Sequence, residues 1–376
     1  MLVKLKDYLD IRRGPGLPSK FYSETGRLIR LTLGNFNYPN GGFKENTSKK
    51  DIYYIGNIKK EYILKKGDLI TPLTEQVSGL LGETAWIPEN NKYIQNGDIG
   101  LVIPYEGKLN AKYCYYLLSS PLIKKQLGDG AQQTKIRHTS PEKIKACVAP
   151  IPDIKKQELI GKTLHSIDEQ INRNKNMIKK LQVLGKMIFE RFSLNVNNLV
   201  NIKDVCEIIW GQCPDGENIL SEESNSTIKY ASGAGDIDDG KISINPKAYT
   251  DNSRRVVEKY TVCVSVAGTV GKIALSQDKI SIGRAMLGLY NKQKYGLIYF
   301  SLLKYIPIIQ KQATGAIQKI INNNHLEIIY IPVLSFNQIN FLNSIIEQCL
   351  NIEKKTEQLY SLKNKLLTLL INQQLR

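Results

Sequence analysis

The sequence predicts an α+β fold: two similar, mixed but mostly β globular domains, and two long helices that pair as an antiparallel coiled coil in a pseudo-two-fold internal repeat. Three observations predict it. Several motifs occur twice in one order, short β-prone runs fill most of each copy, and each copy ends in a long segment with heptad spacing. We assign the domains to residues 1–150 and 196–332, and the helices to residues 151–195 and 333–376.

The internal repeat is visible from the start of the chain. The segment "VKLKDYLDIRRG" (3–14) aligns without a gap with "VNIKDVCEIIWG" (200–211). Later, "GAQQTKI" (130–136) aligns with "GAIQKII" (315–321), and an Ile-Pro pair then closes the β-prone part of each copy. Any one match has a chance explanation, but their shared order indicates two copies of one unit.

The first part of each copy has the pattern of a mixed, mostly β domain. Runs such as "DLITPL" (68–73), "DIGLVIP" (98–104) and "YTVCVSVAG" (260–268) are short and bounded by turn residues. Each copy also contains one amphipathic segment that predicts a helix, at residues 109–127 and 295–312.

The second part of each copy predicts a long helix. A period near 3.5 keeps one apolar stripe against a partner helix. A helix of about 40 residues extends about 60 Å, more than the width of one such domain, so an antiparallel partner is favoured over two unrelated helices that each pack on their own domain. Asn174 would fix the register, whereas Gly185 and Lys363 would weaken the seam. The seam residues are Ile160, Leu164, Ile167, Ile171, Ile178, Leu181, Ile188 and Phe192, and Leu342, Ile345, Cys349, Ile352, Leu359, Leu366 and Leu370.

Charge and composition narrow the function. Lys and Arg number 52 against 35 Asp and Glu, a net charge of +17, which favours a polyanionic partner over a bias of genome composition. No apolar run is long enough for a membrane span, and the start has charges where a signal peptide needs an apolar core. We therefore expect a cytoplasmic protein with no membrane partner. Six scattered cysteines and three histidines match no zinc pattern and suggest buried thiols.

The order of these features resembles the specificity subunits of type I restriction-modification systems. The resemblance covers nearly the whole chain and includes the G-A-x-Q-x-x-I loops, "GTVGKIA" (268–274) and "SIDEQI" (166–171). It implies a non-catalytic subunit whose two target recognition domains read the halves of a bipartite site in double-stranded DNA. It also implies that the helices set the spacing and dock two methyltransferase subunits, which modify adenine using S-adenosylmethionine.

The resemblance implies no cofactor in this chain and leaves open whether a restriction (endonuclease/translocase) subunit joins. We find no glycine-rich nucleotide loop and no zinc-protease motif. The alternatives are a free-standing bipartite DNA-binding or architectural protein, and an enzyme on nucleic acid with a degenerate site, for which the sequence offers no defensible carboxylate.

Candidate DNA contacts follow from side-chain chemistry. Arg and Lys suit guanine, Asn and Gln suit adenine, and other cations suit phosphates. For base edges the first domain offers Gln132, Gln133, Lys135, Arg137 and His138, and the second offers Gln318, Lys319, Asn322, Asn323 and Asn324. For phosphates we consider Arg27, Arg30, Arg254, Arg255, Lys259 and Arg284. Gln133 and Gln318 are shared by both copies, so a structural role is equally open to them, and an ordinary surface charge is the alternative for each of the cations.

Overall fold

The computed structural model describes residues 2–38, 41–46, 50–75, 79–129, 137–194, 196–312 and 320–372; of Arg137, Glu217 and Gln312 only the backbone is described. The chain forms two compact units. Unit 1 is Met1–Glu169 with Tyr360–Arg376, and unit 2 is Gln170–Leu359. Both unit boundaries fall inside long helices. This division does not test the predicted domain boundaries, which stay a prediction.

Unit 1 contains the first half of the strands. They are β1 Leu2–Lys4, β2 Leu9–Arg13, β3 Tyr22–Ser23, β4 Leu28–Arg30, β5 Tyr53–Tyr54, β6 Leu69–Pro72, β7 Thr74–Glu75, β8 Ala85–Trp86, β9 Tyr93–Ile94, β10 Ile99–Pro104, β11 Arg137–His138 and β12 Val148–Pro150. The helices are α1 Ala111–Leu118, α2 Pro121–Asp129, α3 Pro141–Ala146 and the start of α4, Ile154–Ser193. Two four-stranded sheets, ordered β2-β10-β6-β8 and β3-β5-β4-β9, accompany the pairs β1-β12 and β7-β11.

Unit 2 repeats this arrangement. Its strands are β13 Leu199–Asn201, β14 Glu207–Trp210, β15 Ile219–Leu220, β16 Ile228–Ala231, β17 Ala248–Thr250, β18 Val256–Val257, β19 Val262–Ser265, β20 Ile273–Leu275, β21 Ile280–Ile282, β22 Met286–Tyr290 and β23 Tyr330–Pro332. Its helices are α5 Tyr295–Gln312, α6 Asn323–Glu327 and most of α7, Phe336–Ile371. The sheets are ordered β14-β22-β19-β20 and β15-β17-β16-β21-β18, with the pair β13-β23.

The two units have matching topologies. The antiparallel order β2-β10-β6-β8 corresponds to β14-β22-β19-β20, and in the second sheet the parallel pair β4-β9 corresponds to β16-β21. The turn before β6 in unit 1 and the turn before β19 in unit 2 each contain a residue with a positive φ: Gly67 has φ +88° and Tyr260 has φ +69°. The predicted α+β fold class with two similar, mostly β domains and two long helices is confirmed.

The long helices begin slightly later than the Ile-Pro pairs suggest. Helix α4 begins at Ile154, where the Asp153 carboxylate accepts a hydrogen bond from the Lys156 backbone N–H at 3.0 Å. Helix α7 begins at Phe336, and the preceding Ser335 donates its backbone N–H to Gln338 Oε1 at 2.9 Å. Capping side chains therefore satisfy the free backbone groups at both helix starts.

Within each unit, the helices contact in the antiparallel direction. In unit 1, Leu164 near the start of α4 shares a core with Leu367 and Ile371 near the end of α7. In unit 2, Asn174 Nδ2 donates to Thr356 Oγ1 at 3.0 Å, a polar contact of the kind that fixes register. Phe189, which the heptad pattern omits, is 1% exposed and belongs to the core of unit 2.

Two residues expected to weaken the seam, Gly185 and Lys363, have specific partners. A Cβ on Gly185 would lie 2.2 Å from Phe300 Cζ, which means that the missing side chain makes room for the aromatic ring of α5. Lys363 is 7% exposed, and its ammonium lies 2.7 Å from Asp168 Oδ1. Both positions are therefore complemented by neighbouring side chains.

Cysteine burial follows the sequence prediction with one correction. Cys114, Cys147, Cys206, Cys263 and Cys349 are buried free thiols, whereas Cys213 is exposed because it lies in the loop after β14. Among the residues that the structure describes, no helix is long and apolar enough to cross a membrane.

Candidate nucleic-acid interface

The two G-A-x-Q-x-x-I loops lie largely outside the described residues. This applies to the predicted base contacts Gln132, Gln133, Lys135, Gln318 and Lys319, and to the side chain of Arg137. Their predicted roles therefore stay predictions.

The described residues at or just after the ends of the loops occupy similar places in the two units. In unit 1, His138 pairs with Thr74 across β11 and β7. In unit 2, Ile320 bridges to Ala267. Strand pairing places Leu69 of unit 1 and Val262 of unit 2 at equivalent positions, so Thr74 and Ala267 are equivalent as well. These two contacts thus lie at equivalent positions, just beyond β6 in unit 1 and β19 in unit 2.

His138, on β11, has an exposed ring. Its Nδ1 lies 3.3 Å from the hydroxyl of Thr74, which in turn donates to Asp98 Oδ1 at 2.9 Å. The contact orients the imidazole, and Nε2 is the nitrogen left to a ligand.

The asparagine run of unit 2 divides its roles. Asn322 caps α6, since its side chain accepts from the Asn324 backbone N–H at 3.1 Å. Asn323 Oδ1 accepts from Trp210 Nε1 at 3.0 Å. Asn324 is exposed, and its side-chain amide has no hydrogen-bond partner among the described residues. Of the three predicted base contacts, Asn324 is the one whose amide is available to an adenine edge.

Arg30 has a structural position. It is 5% exposed, both Nε and Nη2 donate to the Asp51 carbonyl at 3.1 and 3.0 Å, and its guanidinium lies 3.8 Å from the centroid of the Tyr22 ring. A phosphate contact would require the side chain to leave these partners. The burial has no sequence signature because Asp51 and Tyr22 are distant in the chain.

Arg27, by contrast, is exposed and lines a cleft of unit 1. Three further cations line the same cleft: Arg12, Lys60 and Lys65. The sequence does not single them out, because only the folded chain brings these three cations together with Arg27.

The predicted cations of unit 2 are all exposed. Arg254 forms an ion pair with Asp215 at 3.0 Å, and the Lys259 ammonium lies 4.8 Å from the Tyr260 ring centroid. Arg284 lies beside the exposed Cys213. Although burial alone would raise the pKa of the Cys213 thiol, hydrogen bonds from the Arg284 backbone and the Tyr230 hydroxyl, with the Arg284 charge, hold that pKa below its ordinary value.

Comparison with known proteins identifies the class of this fold. A family profile described as the type I restriction modification DNA specificity domain matches residues 1–183. The chain is also 26% identical over 412 residues to a protein described as the type I restriction enzyme MjaX specificity subunit of Methanocaldococcus jannaschii, covering 99% of this chain and 93% of the relative. Residues 1–183, just under half of the chain, thus match the DNA specificity domain of type I restriction-modification systems, and nearly the whole chain is similar to one specificity subunit.

A solved structure supports the fold. The S subunit of a type I restriction-modification system from M. genitalium superposes with a TM-score of 0.58 at 14% identity, over 99% of this chain and 96% of that chain. The sequence-based family resemblance is thereby confirmed.

Proposed function

We propose that this specificity subunit reads a bipartite, asymmetric site in double-stranded DNA, with one half read by each globular domain. The supporting observation is that one sheet topology occurs twice while the surrounding side chains differ. A shared scaffold with different loops is suited to recognising two different short sequences, because base readout depends on the side chains that reach the groove.

Selection on a pool of random duplex DNA tests this function directly. The specificity subunit, with any methyltransferase that co-purifies, should enrich a split motif of two unlike halves at constant spacing. Exchange of residues 200–332 for the corresponding domain of a relative should then change one half only. A single continuous motif, or a change in both halves after the exchange, would refute reading by two modules.

We further propose that the long helices set the distance between the half-sites. Helix α4 has 40 residues and α7 has 36, and polar contacts fix their register: Lys363 with Asp168 in unit 1 and Asn174 with Thr356 in unit 2. Deleting one heptad from both helices should shorten the spacing and leave each half-site unchanged. An altered half-site at the original spacing would contradict this role.

The helices are also the proposed docking surface for two methyltransferase subunits, which would hold S-adenosylmethionine and modify adenine. On α4, Met177, Leu184 and Met187 lie on one face and are 50%, 46% and 61% exposed. An exposed apolar stripe on a helix is typical of a partner interface.

Co-purification tests the docking proposal. Leu184→Glu with Met187→Glu should abolish recovery of the methyltransferase without lowering the stability of the specificity subunit. Leu159→Glu, at a residue that is 65% exposed on the same helix, is the control. Equal loss with the control would place the interface elsewhere, and tight binding to a split site without any methyltransferase would favour a free-standing DNA-binding protein.

A further inference from the structure

Unit 1 contains a cleft of about 760 Å³ with an excess of positive charge. Its cationic lining residues are Arg12, Arg27, Lys60 and Lys65, and its acidic ones are Glu61 and Asp68. Its apolar lining is contributed by Leu28, Ile63 and Leu101. A concave surface with four cations and two carboxylates attracts anions.

Separate elements position the four cations around this cleft. Arg12 lies on β2, and its Nη2 donates to the Glu61 carbonyl at 2.9 Å, which holds the half-buried guanidinium in place. Arg27 lies between β3 and β4, and Lys60 begins the short 3-10 helix Lys60–Tyr62. Lys65 lies in the turn that leads into β6.

Three of the four cations in the cleft have no ion pair among the described residues. Arg27, Lys60 and Lys65 are exposed and form no ion pair with any residue that the structure describes. The Asp68 carboxylate is engaged by a backbone group, because it accepts from the Lys65 N–H at 2.8 Å. An anion entering the cleft can therefore pair with Arg27, Lys60 and Lys65 without breaking an ion pair to any described residue.

The second copy shows that the fold does not require a cation at two of these four positions. The pairing of β10 with β6 and of β22 with β19 makes Leu69 equivalent to Val262. Counting back along each chain segment, Lys65 then corresponds to Glu258, which forms an ion pair with Lys279 at 3.1 Å.

The neighbouring strand gives the same result. Arg12 pairs with Leu101 in unit 1, and Ile209 pairs with Gly288 at the equivalent place in unit 2. An isoleucine therefore fills the position of the arginine in an otherwise matching sheet. Positive charge at both positions is a property of unit 1 alone, which argues for a ligand and against a structural requirement.

We propose that this cleft binds backbone phosphates of the DNA half-site read by unit 1, an inference that rests on the proposed function. Phosphates fit better than bases because the described lining contains no aromatic side chain for stacking and only one amide, that of Asn91. The cleft positions unit 1 on the duplex, and loop side chains read the sequence.

Matched double variants of the full chain, with its methyltransferase, test the proposal. Lys60→Ala with Lys65→Ala removes two cations from the cleft. Lys59→Ala with Lys66→Ala removes two exposed cations from the adjacent positions, outside the cleft lining, with the same change in net charge. Binding to the selected duplex is measured by fluorescence anisotropy over a range of salt concentrations.

The cleft variant should bind more weakly, and its log-log salt slope should fall by about 1.8 if each lysine contacts one phosphate, at about 0.9 per contact. The control should keep a slope near that of the wild type. Equal slopes in the two variants would overturn the cleft proposal while leaving bipartite recognition intact. Wild-type protein that binds no split site would overturn both.

A second arm separates DNA phosphate from a small anion. Titration of the wild type and the cleft variant with inorganic phosphate and with ATP by calorimetry should show no binding that depends on Lys60 and Lys65. If these small anions bind and the variant loses them while its DNA salt slope is unchanged, the cleft is a small-anion site and the proposal is wrong.

Discussion

Replacing Lys363 with methionine tests the polar contact between the two long helices in unit 1. The ammonium lies 2.7 Å from Asp168 Oδ1, and Tyr116 donates its hydroxyl to Asp168 Oδ2 at 2.6 Å. Methionine keeps the unbranched stem of lysine but removes the charge, which leaves the Asp168 carboxylate with Tyr116 as its hydrogen-bond donor.

The expected loss of stability follows from burial. Removing one partner of a fully buried pair costs about 3–5 kcal/mol. The Asp168 side chain is 20% exposed and regains some hydration, so we expect about 2–3 kcal/mol for Lys363→Met. For a unit of this size, that lowers the melting temperature by roughly 4–12 °C.

Urea denaturation, monitored by circular dichroism, measures this loss against a neighbouring control. Lys365→Met removes an exposed lysine from the same helix and should change the free energy of unfolding by less than about 0.5 kcal/mol. Adding Asp168→Asn to Lys363→Met should cost at least about 1 kcal/mol less than the sum of the single changes, because neither charge is then left unpaired. Equal effects at residues 363 and 365, or strict additivity, would refute the pairing.

Three further predictions concern single positions. Gly185→Ala should destabilise unit 2 by about 1–3 kcal/mol in urea denaturation, because the new Cβ would overlap Phe300 and this outweighs the better helix propensity of alanine. Adding Phe300→Leu should relieve part of the loss. A gain in stability from Gly185→Ala would contradict the packing. Gly67→Ala should cost about 1–2 kcal/mol because of the φ of +88°, and no change in the urea midpoint would count against a required left-handed turn. Burial raises the pKa of Glu353 above 4.5. The contribution of this carboxyl to the free energy of unfolding is therefore full below pH 4.5 and is lost as the pH rises through the raised pKa. Glu353→Gln should flatten this decline in stability with pH, and an unchanged pH profile would refute the assignment.

The sequence predicts well what depends on local periodicity. Heptad spacing identified both long helices, since a seam residue such as Leu164 recurs every three or four positions whatever its partner. It missed Phe189 because that side chain packs on unit 2 in addition to the seam, and a strict heptad omits such positions. The packing at Gly185 was not predictable for the same reason: Phe300, which fills the space beside it, belongs to another helix.

The candidate interface was less predictable, because it depends on contacts between distant segments. Composition identifies Arg27 and Arg30 equally as cations. The fold separates them, since Arg30 is buried on Asp51 and Tyr22 while Arg27 remains exposed beside a cleft. Lys60 joins the same cleft through strand pairing that no local pattern encodes.

The duplication provides a way to separate scaffold from recognition within one chain. Gly67 and Tyr260 take the same left-handed conformation before equivalent strands, so the backbone turn is kept even where a bulky residue must adopt a conformation that favours glycine. Two residues earlier, Lys65 is replaced by Glu258, and the sign of the charge reverses. A turn conformation that persists at such a cost serves the fold. A side-chain charge that reverses on the same fold serves something that differs between the two copies. If the chain reads two unlike half-sites, as proposed, the feature that differs between the copies is the contact with DNA, which is why the cations of the unit 1 cleft are the first to replace.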